Sequence, residues 1–146
     1  MNYFEKSFAE MLKENQQPNS GYDKSVNISI LRNITLEPIS VPFDYFANQS
    51  GMTTNITFGN FDNVFQDSLD SEIIAERTDI VLIVTPLLSL APRLMNEYAI
   101  ISEKEKQELK NSILTLIQST LDNIRKLSSK TKIIWCSFEC PSFPSF

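Results

Sequence analysis

Apolar residues recur along this chain with two alternating periods. Val26, Ile28 and Ile30 occupy every second position and predict a strand over 26–32. Met52, Thr54, Ile56 and Phe58 repeat the pattern and predict a second strand. The unbroken run Ile80–Val84 has the composition of a strand buried on both faces of a parallel sheet. "KIIWCSF", from Lys132, supplies a fourth.

Helical spacing fills the intervals. Phe4, Phe8, Met11 and Leu12 predict an amphipathic helix over 3–16, broken by the loop "QQPNSGYDK". After the first strand both Thr35 and Ser40 could cap a helix. Pro42 decides between them, because it is tolerated in the first turn but not in the interior. The helix is therefore expected over 41–49, closed by Gly51. Phe61, Val64, Phe65 and Leu69 share one helical face, and "LLSLAPRLM" reads as a connection or a short helix. Ser102 and Glu105 form a Ser-x-x-Glu capping box. It opens a long helix with Leu109, Ile113, Leu116, Ile117, Leu121, Ile124 and Leu127 as its buried stripe.

Strands that alternate with helices, without a hairpin signal and with only 3 glycines, specify an α/β doubly wound sheet with right-handed crossovers. At 146 residues the chain is one domain. Its parts are a helix and loop over 1–24, a core over 25–140 and a tail over 141–146. The tail reads as the start of a linker to a further domain. The net charge of −5 argues against nucleic acid or anionic lipid as the main partner. No apolar stretch reaches the length of a membrane span. Two cysteines, Cys136 and Cys140, make no disulfide framework, so a reducing cytoplasm is expected. The Asn-x-Ser/Thr triplets at Asn27, Asn33 and Asn55 then carry no glycosylation meaning.

The chain contains 0 histidines, which removes Ser-His-Asp and Cys-His hydrolysis, histidine acid–base chemistry and mixed zinc sites. Cys-x-x-x-Cys is neither the redox spacing nor a complete metal set, so no metal or cofactor is expected. Candidate chemistry gathers at the carboxyl ends of the strands, where doubly wound sheets bind ligands. Asn33, Thr35 and Glu37 follow the first strand, Thr85 the third, and Ser137 and Glu139 the fourth. Gly59 and Asn60 stand after the second. These eight are the expected pocket rim, with Asn33, Thr35 and Glu37 as its floor and Thr85 and Glu139 facing it. Plain turn chemistry explains Asn33, Thr35 and Glu37 equally well, since Asn tolerates unusual dihedrals, Thr caps and Glu-Pro favours an extended turn. Gly59-Asn60 reads more simply as a strand-to-helix turn.

"ILRNITLEPI", "GMTTNITFGNFDNVFQDSLD" and "DSEIIAERTDIVLIV" fall in the order of three blocks that open FkbH-like proteins, multidomain members of the haloacid dehalogenase superfamily. This region, about residues 26–86, resembles their N-terminal domain. It departs from the pattern at Ile74, Ala75 and Thr78. The resemblance implies a three-layer α/β/α sandwich of the SGNH-hydrolase or flavodoxin-like type, with sheet order 2-1-3-4 and strand one central. In active SGNH esterases the turn after strand one carries the nucleophilic serine. Here that turn reads Arg32-Asn33-Ile34, so isoleucine stands in the nucleophile's place.

The expected function is therefore a non-catalytic accessory or binding domain. The whole protein would act in phosphoryl or glyceryl transfer to a carrier protein, or in surface-sugar or polyketide biosynthesis. Its implied partners are a following dehalogenase-like domain in cis and an acyl carrier protein. The alternative is a divergent SGNH-type hydrolase or acyltransferase with Glu37 or Asp62 as base and Thr35 or Ser137 as nucleophile. A hydroxyl nucleophile without histidine needs a lysine or a terminal amine, and the rim motifs contain no lysine.

Overall fold

A computed structural model describes residues 6–16, 24–136 and 138. Four strands form one all-parallel sheet: β1 (Lys24–Arg32), β2 (Met52–Phe61), β3 (Ile80–Val84) and β4 (Lys132–Trp135). Their order is β2-β1-β3-β4, as the resemblance implies, with β1 and β3 central. The chain steps from β1 to β2 on one flank and then returns to place β3 on the other. The strand order therefore reverses between β1 and β3.

Helices cover both faces, which completes the α/β/α sandwich. Helix α1 (Phe8–Asn15) packs on α2 (Ser40–Gln49), which lies against β2. On the opposite face the 25-residue α6 (Glu103–Leu127) runs over the sheet, with α3 (Val64–Asp67) beside it. The short α4 (Leu87–Leu90) and α5 (Pro92–Asn96) split at Ala91, because Pro92 cannot continue a preceding helix.

The parallel register explains which strand residues share a face. Leu31 pairs with Ile83, and Ile83 with Trp135. Successive side chains alternate across the sheet, so Leu31, Val81, Ile83, Ile133 and Trp135 point together toward α6. With Ile74 and Ile124 they form the main core. A second cluster of Leu87, Ala91 and Ile113 joins α4 and α5 to α6. The capping box forms as read: Ser102 Oγ accepts from the Glu105 amide at 3.2 Å, and the Glu105 carboxylate accepts from the Ser102 amide at 3.3 Å.

Several expectations change. Helix α1 buries no residue, and Phe8 and Leu12 remain half exposed; Asn15 Nδ2 ties the helix to α2 through the Val41 carbonyl. Phe4 lies outside the described residues. Ser40 does not cap α2; a 3-10 turn over Glu37–Ile39 leads into the helix, and the Ser40 hydroxyl donates back to the Glu37 carbonyl. Gly51 closes α2 with φ 70°, as expected of a left-handed terminator. The helix expected from Phe61 to Leu69 shrinks to a single turn, and both of those residues are more than half exposed. Cys136 is half buried just past β4, while Cys140 and the tail 141–146 lie outside the described residues. Among the described residues no helix is long and apolar enough to cross a membrane.

Candidate binding site at the strand carboxyl ends

The strand order reverses between β1 and β3, the place where doubly wound sheets bind ligands. Backbone bonding fixes its floor. Arg32 pairs with Val84 in the ladder, and the Asn33 amide donates to the Val84 carbonyl at 3.3 Å. Asn33 and Thr85 thus sit side by side at adjacent strand ends. On the other flank the Asp62 amide donates to the Arg32 carbonyl at 3.1 Å, which brings the end of β2 into the same row.

Beside this row lies a cavity of about 160 Å³. Asp62, Val64, Phe65, Gln66, Thr85, Leu90, Leu116 and Trp135 line it, so the sheet ends form its floor and α3, α4 and α6 its walls. Asn33 and Thr85 are buried, yet Asn33 Oδ1 and Thr85 Oγ1 have no protein hydrogen-bond partner. The buried Trp135 Nε1 is also unpartnered. An unmet buried polar atom costs about 1–3 kcal/mol, and with Arg32 Nε these make four at the carboxyl ends of the strands. Two of them, on Thr85 and Trp135, belong to residues that line one cavity.

The other rim residues separate from this pair. Thr35 is exposed. Glu37 is also exposed, and it turns to Arg32 rather than to Thr85. Arg32 is buried, and its Nη2 lies 2.5 Å from Glu37 Oε1. Its Nη1 donates to the Ile34 carbonyl, and its guanidinium stands 5.4 Å from the centre of the Phe58 ring. Glu37 therefore neutralises a buried cation, and the expected shared floor of Asn33, Thr35 and Glu37 reduces to Asn33. Ser137 and Glu139 lie outside the described residues.

A hydrogen bond from its own amide, the Arg32 charge and the Leu36 amide hold the Glu37 carboxyl below the usual carboxylate range, with desolvation pulling the other way. A depressed carboxyl adds stability that is complete above its unfolded value and is lost as pH falls through the folded one. A carbon-13 NMR titration should place the Glu37 midpoint below the free value of about 4.3. Arg32→Gln should raise it, and an unchanged midpoint would show that the ion pair is not formed in solution.

Gly59 and Asn60 lie inside β2, and the turn comes later, at Asp62 with φ 55°. Asn60 serves a group that the pattern of the sequence did not single out. Asp67 is 1% exposed, and its Oδ1 accepts from Asn60 Nδ2 at 2.9 Å and from Asn63 Nδ2 at 3.0 Å. Its Oδ2 faces Gly59, where an added Cβ would lie only 2.5 Å away. Next to it the Ser68 hydroxyl accepts from Asn123 Nδ2 at 3.1 Å, which ties α3 to α6. Two amides four and seven residues before one aspartate were the available signal; Asn60 read instead as part of a strand-to-helix turn. Among the described residues no group of three acidic, cysteine or histidine side chains could hold a metal.

The fold and its row of strand ends define an α/β/α domain of the doubly wound class, with a carboxyl-end crevice. Comparison with known proteins bears on the fold alone. No family profile and no curated protein sequence matches the chain. Among solved structures it is similar to the N-terminal part of the protein BF1531 from Bacteroides fragilis, described as containing a phosphatase domain complexed with Mg. The two superpose with a TM-score of 0.67 over 91% of this chain at 9% identity. The chain spans 33% of that structure's length.

Proposed function

We propose that this is a non-hydrolytic binding domain of the FkbH-like type, whose carboxyl-end crevice receives a small uncharged polar group such as an amide or a thioester. The unpartnered Asn33 Oδ1 and Thr85 Oγ1 at the strand-order reversal carry this reading. Asp62 lines the cavity beside Thr85, so a bare phosphate is disfavoured there while a neutral acceptor or donor fits. Ile34 in the nucleophile's place and the absence of histidine leave the hydrolytic roles of an SGNH site unfilled. Glu37, a base in the alternative reading, is paired to Arg32, and Thr35 is exposed and lines none of the described cavities. In the full-length protein a dehalogenase-like domain would follow in cis and act on a carrier-bound substrate.

Trp135 is the single tryptophan of the chain and shares the cavity with Thr85, so its indole N–H signal reports on occupancy without ambiguity. S-acetyl-N-acetylcysteamine and acetamide should shift that signal saturably, and inorganic phosphate should not. Thr85→Val should weaken the thioester response about tenfold or more through loss of one hydrogen bond to a desolvated partner. p-Nitrophenyl acetate should show no turnover above a denatured control. Turnover that Thr85→Val abolishes would replace the binding reading by an enzymatic one, and a Trp135 signal indifferent to every probe would end both.

A further inference from the structure

The opposite end of the sheet carries a different feature. At the amino ends of β1, β3 and β4 lies an open groove of about 810 Å³, within the size range of ligand sites. Lys24, Arg77, Lys130 and Lys132 line it, and all four are exposed. Arg125 extends the same end of the molecule, its guanidinium held by the Thr131 carbonyl at 2.6 Å and the Ser129 carbonyl at 3.3 Å.

None of these five cations has an ion-pair partner among the described residues. The five that do, Lys6, Arg32, Arg93, Lys104 and Lys106, all lie elsewhere. A chain of net −5 has acids to spare, so this concentration of unpaired positive charge is not a shortage of partners. Glu76 and Asp79 are the acids that line the groove, and the Asp79 carboxylate is already engaged by the Asn27 amide at 2.8 Å. The groove therefore keeps a net positive charge, four cations against two carboxylates. Between the cations the lining turns apolar with Val26, Met52 and Ile80.

We infer that this groove is a docking surface for an acidic, partly apolar segment of a partner protein. Its carboxylates would meet Lys24, Arg77, Lys130 and Lys132, while an apolar side chain would rest on Val26, Met52 and Ile80. Three observations favour a protein segment over a nucleic acid. A phosphodiester backbone offers nothing for the apolar lining. Among the described residues no aromatic side chain lines the groove to stack a base. The net charge of −5 also repels a long polyanion, whereas a short segment feels mainly the cations within a screening length of about 8 Å. The surface stands at the end of the sheet opposite the carboxyl-end crevice, so it stands or falls independently of the binding reading above.

Fluorescence anisotropy of the full chain with a short labelled peptide alternating Glu and Leu tests the inference. The peptide should bind, weaken as salt rises, and bind about tenfold more tightly than its counterpart with Gln in place of Glu. Lys130→Glu with Lys132→Glu should reduce affinity about tenfold or more, and Lys24→Gln with Arg77→Gln should reduce it in the same direction should the first pair unfold the chain. Labelled oligothymidylate is the competing arm. Tighter binding of the oligonucleotide than of the peptide, no binding of the peptide, or binding unchanged by both double variants would each overturn the inference.

Discussion

Ile124→Ala is expected to destabilise the domain by about 3 kcal/mol, the centre of the range for truncating a buried isoleucine. Ile124 is fully buried and packs in one cluster with Leu31, Ile74, Val81 and Ile83, so the cavity would open between α6 and the two central strands. The surrounding side chains come from the rigid sheet and cannot collapse into the space, which places the loss in the middle of the range rather than at its floor. For a chain of this size the melting temperature should fall by on the order of 10 °C. Leu114→Ala, on the same helix but 52% exposed, should cost under about 0.5 kcal/mol. Urea unfolding of both variants checks the prediction. Equal midpoints would mean that α6 does not pack through Ile124.

Gly59→Ala is expected to cost about 2 kcal/mol although it adds only one methyl group. The new Cβ would stand 2.5 Å from Asp67 Oδ2 and 3.2 Å from Leu31 Cδ2. Neither neighbour can retreat. Asp67 is 1% exposed with its other oxygen held by Asn60 and Asn63, and Leu31 is fully buried in the core. Asp67→Ala should also destabilise, by about 1–3 kcal/mol, since it removes a buried carboxylate that accepts from Asn60 and Asn63. Combined, the two changes should cost less than their sum, because removing the carboxylate makes room for the methyl group. Additive costs in that double-mutant cycle would place the strain elsewhere.

These two positions differ in how far the sequence alone exposes them. Ile124 was legible, because a stripe at helical spacing can be buried only against a sheet or another helix. The strands were legible for the same reason, and the unbroken run Ile80–Val84 marked the strand between two covered faces. The capping box at Ser102 announced its helix because both of its hydrogen bonds are local. Gly59 was legible only as a turn, since its neighbour Asp67 is eight residues away and meets it only when α3 folds back on β2. Thr120 and Asn123 sit buried on a helix whose apolar stripe hid them.

The candidate site divides in the same way. Asn33 and Thr85 could be placed at strand ends from the pattern of the chain, and parallel pairing made them neighbours. Glu37 looked equally suited to a pocket. Its fate was decided by Arg32, whose burial on the sheet requires a counter-charge within reach, and the 3-10 turn supplies Glu37 there. The basic groove was invisible in the linear order, where Lys24, Arg77 and Lys130 stand some fifty residues apart. Period and capping are local properties, and they set the class of fold and the order of its elements. Which polar groups are neutralised, which are left facing a cavity and which cations gather at one end depend on contacts between distant segments, and only the tertiary structure decides those.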